Sequence, residues 1–139
     1  MPNKFFLIDT SAWILALRRS FVPEVRDRID RILRDDEVLT TGIIKLEILG
    51  GAKTEAEYKR LKNRFDALDT VATDDDLWQN ASDLAFNLRR KGVTVPSTDI
   101  VIAACAIHAR ATLVHADKHF DSIARHSSLN VESFIRAIR

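Results

Sequence analysis

The chain has 139 residues, of which 46% are hydrophobic and 29% charged, with 21 basic and 20 acidic side chains. This is the composition of one soluble globular domain with one core, and it excludes a disordered or membrane-embedded chain. Cys105 is the sole cysteine, so no internal disulfide exists, and a net charge of +1 neither demands nor excludes a nucleic-acid partner.

Residues 4–8 read as a short apolar strand. The patch from Phe5 to Ile8 meets Asp9 too early for a signal peptide, and no apolar run approaches the roughly 20 residues that cross a bilayer. A cytoplasmic protein with no membrane attachment is therefore expected. Residues 11–18 read as a helix capped by Thr10 or Ser11. Pro23 opens the next helix, where Val25, Ile29, Ile32 and Leu33 recur at helical spacing to about Arg34. Asp35 and Asp36 turn the chain into a second strand, residues 38–41.

Residues 43–49 read as a helix closed by Gly50 and Gly51. Thr54-Glu55-Ala56-Glu57 is a capping-box pattern for a helix with the stripe Tyr58, Leu61, Phe65 and Leu68. Val71 marks a brief strand. Thr73 is expected to cap a helix whose first turn holds Asp74, Asp75 and Asp76, where the helix dipole favours acids. Its apolar face is Leu77, Ala81, Leu84, Ala85 and Leu88, and Gly92 ends it. Pro96 and Ser97 introduce a helix over residues 98–109 that is apolar nearly all round, hence buried on most sides. Cys105 reads as a small buried hydrophobe within it. Residues 112–115 form a strand, 117–121 read as a turn, Asn130-Val131 as the last strand, and residues 134–138 as a short amphipathic tail. Strands alternating with helices predict an α/β fold, a short mainly parallel sheet with helices on both faces.

Ligands of such sheets bind beyond the carboxyl ends of the strands. Asp9 directly follows the first strand, and Asp117 lies just past the strand 112–115. Asp99 opens the helix 98–109. About 12 helical residues run about 18 Å outward at 1.5 Å each, and about five strand residues return about 17 Å at 3.3 Å each. Asp99 and Asp117 are therefore expected to be neighbours. Glu47 is a lone acid among Ile43, Ile44, Leu46, Ile48 and Leu49, on a helix that starts at the same end of the sheet. Four carboxylates in one pocket repel one another and retain protons unless a cation joins them. Mg²⁺ or Mn²⁺ prefers such oxygen donors. Each acid also has a plainer reading: Asp9 as a helix cap, Asp99 as a first-turn acid, Glu47 as a half-exposed helix residue, Asp117 as a turn residue. His108, His115, His119 and His126 match no closed zinc site.

LIDTSAWI at residues 7–14, TTGIIKLEILGGA at 40–52 and STDIVIAACAIHARATLVHADKHF at 97–120 resemble the PIN-domain ribonucleases, in particular VapC-type toxins of toxin–antitoxin pairs. Order, spacing and local sequence agree over nearly the whole chain. The resemblance implies a single PIN domain over residues 1–139 with a three-layer sandwich. It also implies a Mg²⁺- or Mn²⁺-dependent endoribonuclease in which a metal-activated water cleaves RNA, leaving 3′-hydroxyl and 5′-phosphate ends. On this reading Asp9, Glu47, Asp99 and Asp117 bind the metal, and Thr10, Ser11 and Thr98 support them. A cognate antitoxin inserting a peptide into the active-site groove, and a homodimer, are implied as well. The exposed side of Trp13, Leu17 and Phe21 is open to two readings, antitoxin surface or core packing.

The resemblance departs at His115, where many relatives carry a small hydroxyl residue. His115 and His119 flank Asp117, so either supports the site or contacts substrate. Asp121 assists a second metal or belongs to a solvated turn. Arg18-Arg19, Lys59-Arg60, Lys62, Arg64, Arg89-Arg90-Lys91 and Lys118 are the candidate phosphate contacts. Two other classes compete. A phosphatase of the haloacid dehalogenase type expects a second Asp two positions after the first, where this chain has Ser11. A non-catalytic interaction domain would carry the acidic pocket as a vestige.

Overall fold

A computed structural model describes residues 4–138. Its elements in chain order are β1 (Phe5–Ile8), α1 (Thr10–Leu17), α2 (Pro23–Asp35), β2 (Glu37–Thr41), α3 (Gly42–Gly50), α4 (Glu55–Asp66), β3 (Asp69–Val71), α5 (Asp75–Arg90), α6 (Ser97–Ala109), β4 (Thr112–His115), α7 (Lys118–Arg125) and β5 (Val131–Ser133), followed by a 3₁₀ turn at Ile135–Ile138. The five strands form one sheet in the order β3-β2-β1-β4-β5, and every pair is parallel. On the central strands, Phe6, Leu7 and Ile8 of β1 and Leu113, Val114 and His115 of β4 are all buried. Consecutive burial means that both faces of the sheet are covered, as a parallel sheet requires. This is the α/β sandwich expected from the alternation of elements. Among the described residues no helix is long and apolar enough to cross a membrane.

The strand order places the site. The chain lays β2 and β3 on one side of β1, then returns to add β4 and β5 on the other. The crevice beyond the carboxyl ends of β1 and β4 is thus the switch point where such sheets bind ligands. α6 is the central buried helix: Ile100 to Ala106 are all buried, Cys105 completely, and burial pushes the Cys105 thiol up to about 11. A thiol kept protonated in this way is inert packing.

Three local assignments change and one is added. Asp9, rather than Thr10 or Ser11, caps α1, because its backbone is extended and its carboxylate takes the Ser11 N–H. Asp74, rather than Thr73, caps α5 through the Leu77 N–H, so one member of the acid triplet sits before the helix and two in its first turn. Thr41, the last residue of β2, caps α3 through the Ile44 N–H. Most consequentially, the expected turn at 117–121 is the start of helix α7, capped by Asp117. Phe120 and Ile123 of α7 are fully buried, and their helical spacing pins it to the core.

Candidate metal centre

Asp9 leaves β1 where the chain must stop pairing and start α1. Its N–H still belongs to the sheet, donating to the Val114 carbonyl at 2.9 Å. Its carboxylate Oδ2 accepts from the Ser11 N–H at 3.0 Å and from the Ser11 hydroxyl at 2.6 Å. The Ser11 oxygen in turn accepts the Ala116 N–H at 2.9 Å. One hydroxyl therefore ties the end of β1 to the loop after β4. Asp9 is only 5% exposed, and burial pushes its carboxyl up to about 6, against the opposing pull of the Ser11 bonds and with the charges of Asp99 and Glu47 adding to the rise. Ser11 stands where a phosphatase of the haloacid dehalogenase type needs its second acid, and its hydroxyl is spent on Asp9 and Ala116.

Asp99 sits in the first turn of α6 and Asp117 caps α7, 18 positions further along the chain. His119 joins them: its Nδ1 lies 3.0 Å from Asp99 Oδ2 and 3.3 Å from Asp117 Oδ1. Asp117 Oδ1 also accepts the His119 N–H at 2.9 Å. Partial burial raises the Asp99 carboxyl, the His119 bond opposes the rise, and the charges of Asp117 and Glu47 add to it. One ligand atom from each of Asp99, Asp117 and His119 can be chosen so that all three lie within 4.8 Å of one another.

Glu47 stands on the open side, exposed on α3. The Thr10 hydroxyl donates to its Oε1 at 2.8 Å, which turns the side chain toward the start of α1. Its charge reaches both Asp9 and Asp99. The plainer readings of the acids are thus partly true: Asp9 and Asp117 cap helices while facing the same crevice. Thr10 and Ser11 both hold an acid, whereas Thr98 is exposed.

The remaining candidates separate. His115 is completely buried, so it does not contact substrate. Burial lowers its pKa against the pull of Asp121 and Asp117. Its Nδ1 accepts the Asp117 N–H at 3.1 Å. Asp121 faces away from the other acids: one oxygen accepts the Ser133 hydroxyl at 3.0 Å and the other lies 3.2 Å from His115 Nε2.

The donor set suits a divalent cation. Oxygen donors dominate, two of the acids resist ionisation without a counter-charge, and the arrangement opens to solvent on the Glu47 side. Beside Glu47 runs a groove of about 630 Å³ lined by Arg18, Arg19, Lys53, Arg60 and Arg64 against a single further acid, Glu57. Lys53 escaped the sequence reading because it stands alone between Ala52 and Thr54, outside any basic run. Lys62, in contrast, is tied to Asp66 at 2.6 Å. Leu17 and Arg64 also line an adjoining apolar groove of about 350 Å³ that includes Trp13, Ile29, Leu33, Phe65 and Leu68. Trp13 itself is buried, edge-on to Phe65 with 5.0 Å between ring centroids, while Phe21 is exposed under the Arg26 guanidinium. The expected apolar surface is thus divided between packing and groove.

Comparison with known proteins shows the family of the chain. The PIN domain family profile matches residues 6–126. Ribonuclease VapC11 of Mycobacterium tuberculosis is 36% identical over 135 residues, covering 92% of this chain and 98% of its own. Ribonuclease VapC21 of the same organism is 32% identical over 122 residues, covering 86% of each chain. Among solved structures, VapBC2 from Rickettsia felis bound to a DNA fragment from its promoter superposes with a TM-score of 0.76 at 19% identity, covering 93% of this chain and 98% of the matched one.

Proposed function

The chain belongs to the PIN domain family, among its VapC ribonucleases, and on that premise we propose that it is a Mg²⁺- or Mn²⁺-dependent endoribonuclease acting as the toxin of a toxin–antitoxin pair. The observation that carries the reading is the meeting of Asp9, Asp99 and Asp117 beyond the carboxyl ends of β1 and β4, with Glu47 held toward them by Thr10. Asp9, the most buried of the four, would hold the cation together with Asp99 and Asp117, and Glu47 would complete the set from the exposed face of α3. The His119 nitrogen beside two carboxylates favours Mn²⁺ over Mg²⁺, since imidazole binds transition metals better than Mg²⁺. When bound, such a cation lowers the pKa of a water and neutralises charge that develops on the phosphate.

The chain's own residues supply the rest. Ser11 keeps the Asp9 carboxylate aimed, and the His119 backbone N–H holds the Asp117 carboxylate. The groove beside Glu47 offers five cations to a phosphate backbone against two acids, which suits single-stranded RNA delivered to the acidic centre. The partner antitoxin is assigned to the adjoining apolar groove, where Leu17 and Leu33 are left for a partner's apolar side chains and the buried Trp13 Nε1–H has no acceptor among the described residues. A homodimer fits the exposed Trp78 and Phe86 of α5.

The test is digestion of end-labelled RNA in Mn²⁺, in EDTA, and with the double variant Asp9→Asn, Asp99→Asn. Cleavage that needs Mn²⁺, stops in EDTA and is lost in the double variant supports the assignment. Cleavage that survives EDTA or the double variant sinks it.

A further inference from the structure

We infer that His115 is a positioning residue for the acidic centre: its ring holds the Asp117 backbone, and through it the Asp117 carboxylate, while Asp121 and Ser133 brace the ring from the opposite side. The inference rests on the reading of Asp117 as a metal ligand, and it gives His115 a task that neither composition nor resemblance assigns.

An imidazole with no exposure at all is costly to bury unless its nitrogens are used. Both are engaged. Nδ1 accepts the Asp117 N–H at 3.1 Å. A backbone N–H can only donate, so Nδ1 carries no proton and the neutral ring carries its hydrogen on Nε2. Nε2 lies 3.2 Å from Asp121 Oδ1, a close approach not aligned as a full hydrogen bond. The other oxygen of Asp121 accepts the Ser133 hydroxyl. Ser133 is the register partner of His115 across the β4–β5 pair, and the Phe134 N–H donates to the His115 carbonyl at 2.7 Å. The contacts thus close a ring from β4 through α7 to β5 and back. Phe120 packs beside the imidazole, with 5.3 Å between ring centroids, and removes lateral freedom.

The Asp117 N–H precedes α7 and receives no carbonyl from that helix, so His115 is its acceptor. With the N–H fixed from β4 and the carboxylate fixed by the His119 N–H, Asp117 is held at both ends. A hydroxyl side chain at position 115 is too short to reach Asp117 and Asp121 together. The imidazole spans both, and this couples the edge strand β5 to a metal ligand.

Three variants separate this role from simple core filling. His115→Phe keeps a ring but removes both polar contacts. His115→Asn places a carboxamide oxygen near the Nδ1 position, and His115→Gln places its polar atoms near the Nε2 position. Three readouts apply: Mn²⁺ affinity by calorimetry, amide exchange at Asp117 without metal, and the imidazole tautomer by two-bond ¹H–¹⁵N correlation. The expected result is the Nε2–H tautomer, a protected Asp117 amide in the unsubstituted protein and in His115→Asn, and an exposed one in His115→Phe and His115→Gln. Mn²⁺ affinity falls about 10- to 100-fold in the latter two, the usual cost of losing a residue that orients a ligand. An Nδ1–H tautomer, or full Asp117 protection in either of those variants, overturns the inference. If His115→Phe does not fold, the Asn and Gln variants and the tautomer still decide it. An unsubstituted protein that binds no Mn²⁺ overturns the metal reading instead, and the amide and tautomer data then judge the positioning role separately.

Discussion

The His119 ring nitrogen stands 3.0 Å from Asp99 Oδ2 and 3.3 Å from Asp117 Oδ1, so one side chain links two carboxylates that β4 and α6 bring together. Removing it leaves two acids facing each other with nothing between. His119→Ala is expected to lower metal-free stability by about 1.5 kcal/mol, the low end of the range for a hydrogen bond to a charged group because the ring is partly exposed. It is also expected to weaken Mn²⁺ binding more than Mg²⁺ binding, because the lost donor is nitrogen. Thermal melts with each cation check both parts, and equal losses for the two metals would remove His119 from the ligand set.

Asp9 makes metal-free stability depend on pH in a definite direction. Its folded carboxyl is pushed up to about 6 from an ordinary 3.8, so between those values the folded state holds more protons than the unfolded one. Stability without metal therefore falls as pH rises from about 4 to about 6 and stays lower above that. Asp9→Asn keeps an acceptor for Ser11 and removes the charge. The variant is expected to melt several degrees above the unsubstituted protein at pH 7.5 without metal, for a gain on the order of 1–3 kcal/mol. The two should converge near pH 4, and Mn²⁺ should stabilise only the unsubstituted protein strongly. A melt difference independent of pH would mean that the Asp9 charge carries no penalty.

Ser11 spends one hydroxyl on two elements, donating to Asp9 and accepting from Ala116. Ser11→Ala leaves the Ala116 N–H without that acceptor and strips Asp9 of its shortest bond. A loss of about 2–3 kcal/mol is expected, the cost of orphaning a part-buried donor together with a charge-assisted bond. With that opposing pull gone, Asp9 titrates at still higher pH, so the pH at which Mn²⁺ begins to stabilise the protein should move upward. Urea melts and a Mn²⁺ titration across pH measure the two effects.

Much of this site was legible because it depends on chain geometry. The apolar runs at Phe5–Ile8 and Thr112–His115 mark strands, and the helix-and-return arithmetic brings Asp99 toward Asp117 without any knowledge of side chains. What escaped depends on contacts between residues far apart. The Thr10–Glu47 bond spans 37 positions, and nothing local to Glu47 announces it. α7 was hidden by its polar opening, Asp117-Lys118-His119, which looks like a turn. The signal lay further on, in Phe120, Ile123 and Ala124 at helical spacing. Missing α7 also left Asp121 in a solvated turn, whereas the helix directs it to His115 and Ser133.

The basic groove makes a prediction that separates RNA binding from RNA cleavage. Arg18, Arg19, Lys53, Arg60 and Arg64 share the groove beside Glu47, while Lys62 is held by Asp66. If single-stranded RNA tracks that groove, each cation that meets a phosphate contributes about 0.7 to the slope of log affinity against log salt. In an Asp99→Asn background, expected to bind without cutting, Arg18→Ala with Arg60→Ala is expected to flatten the slope by about 1.4. Lys62→Ala should leave it unchanged, because that ammonium is already paired. Fluorescence anisotropy of a labelled oligonucleotide across a salt series reads both. A slope that flattens equally for Lys62→Ala would mean that RNA responds to overall charge rather than to this groove, and the path to the acidic centre would have to be sought elsewhere.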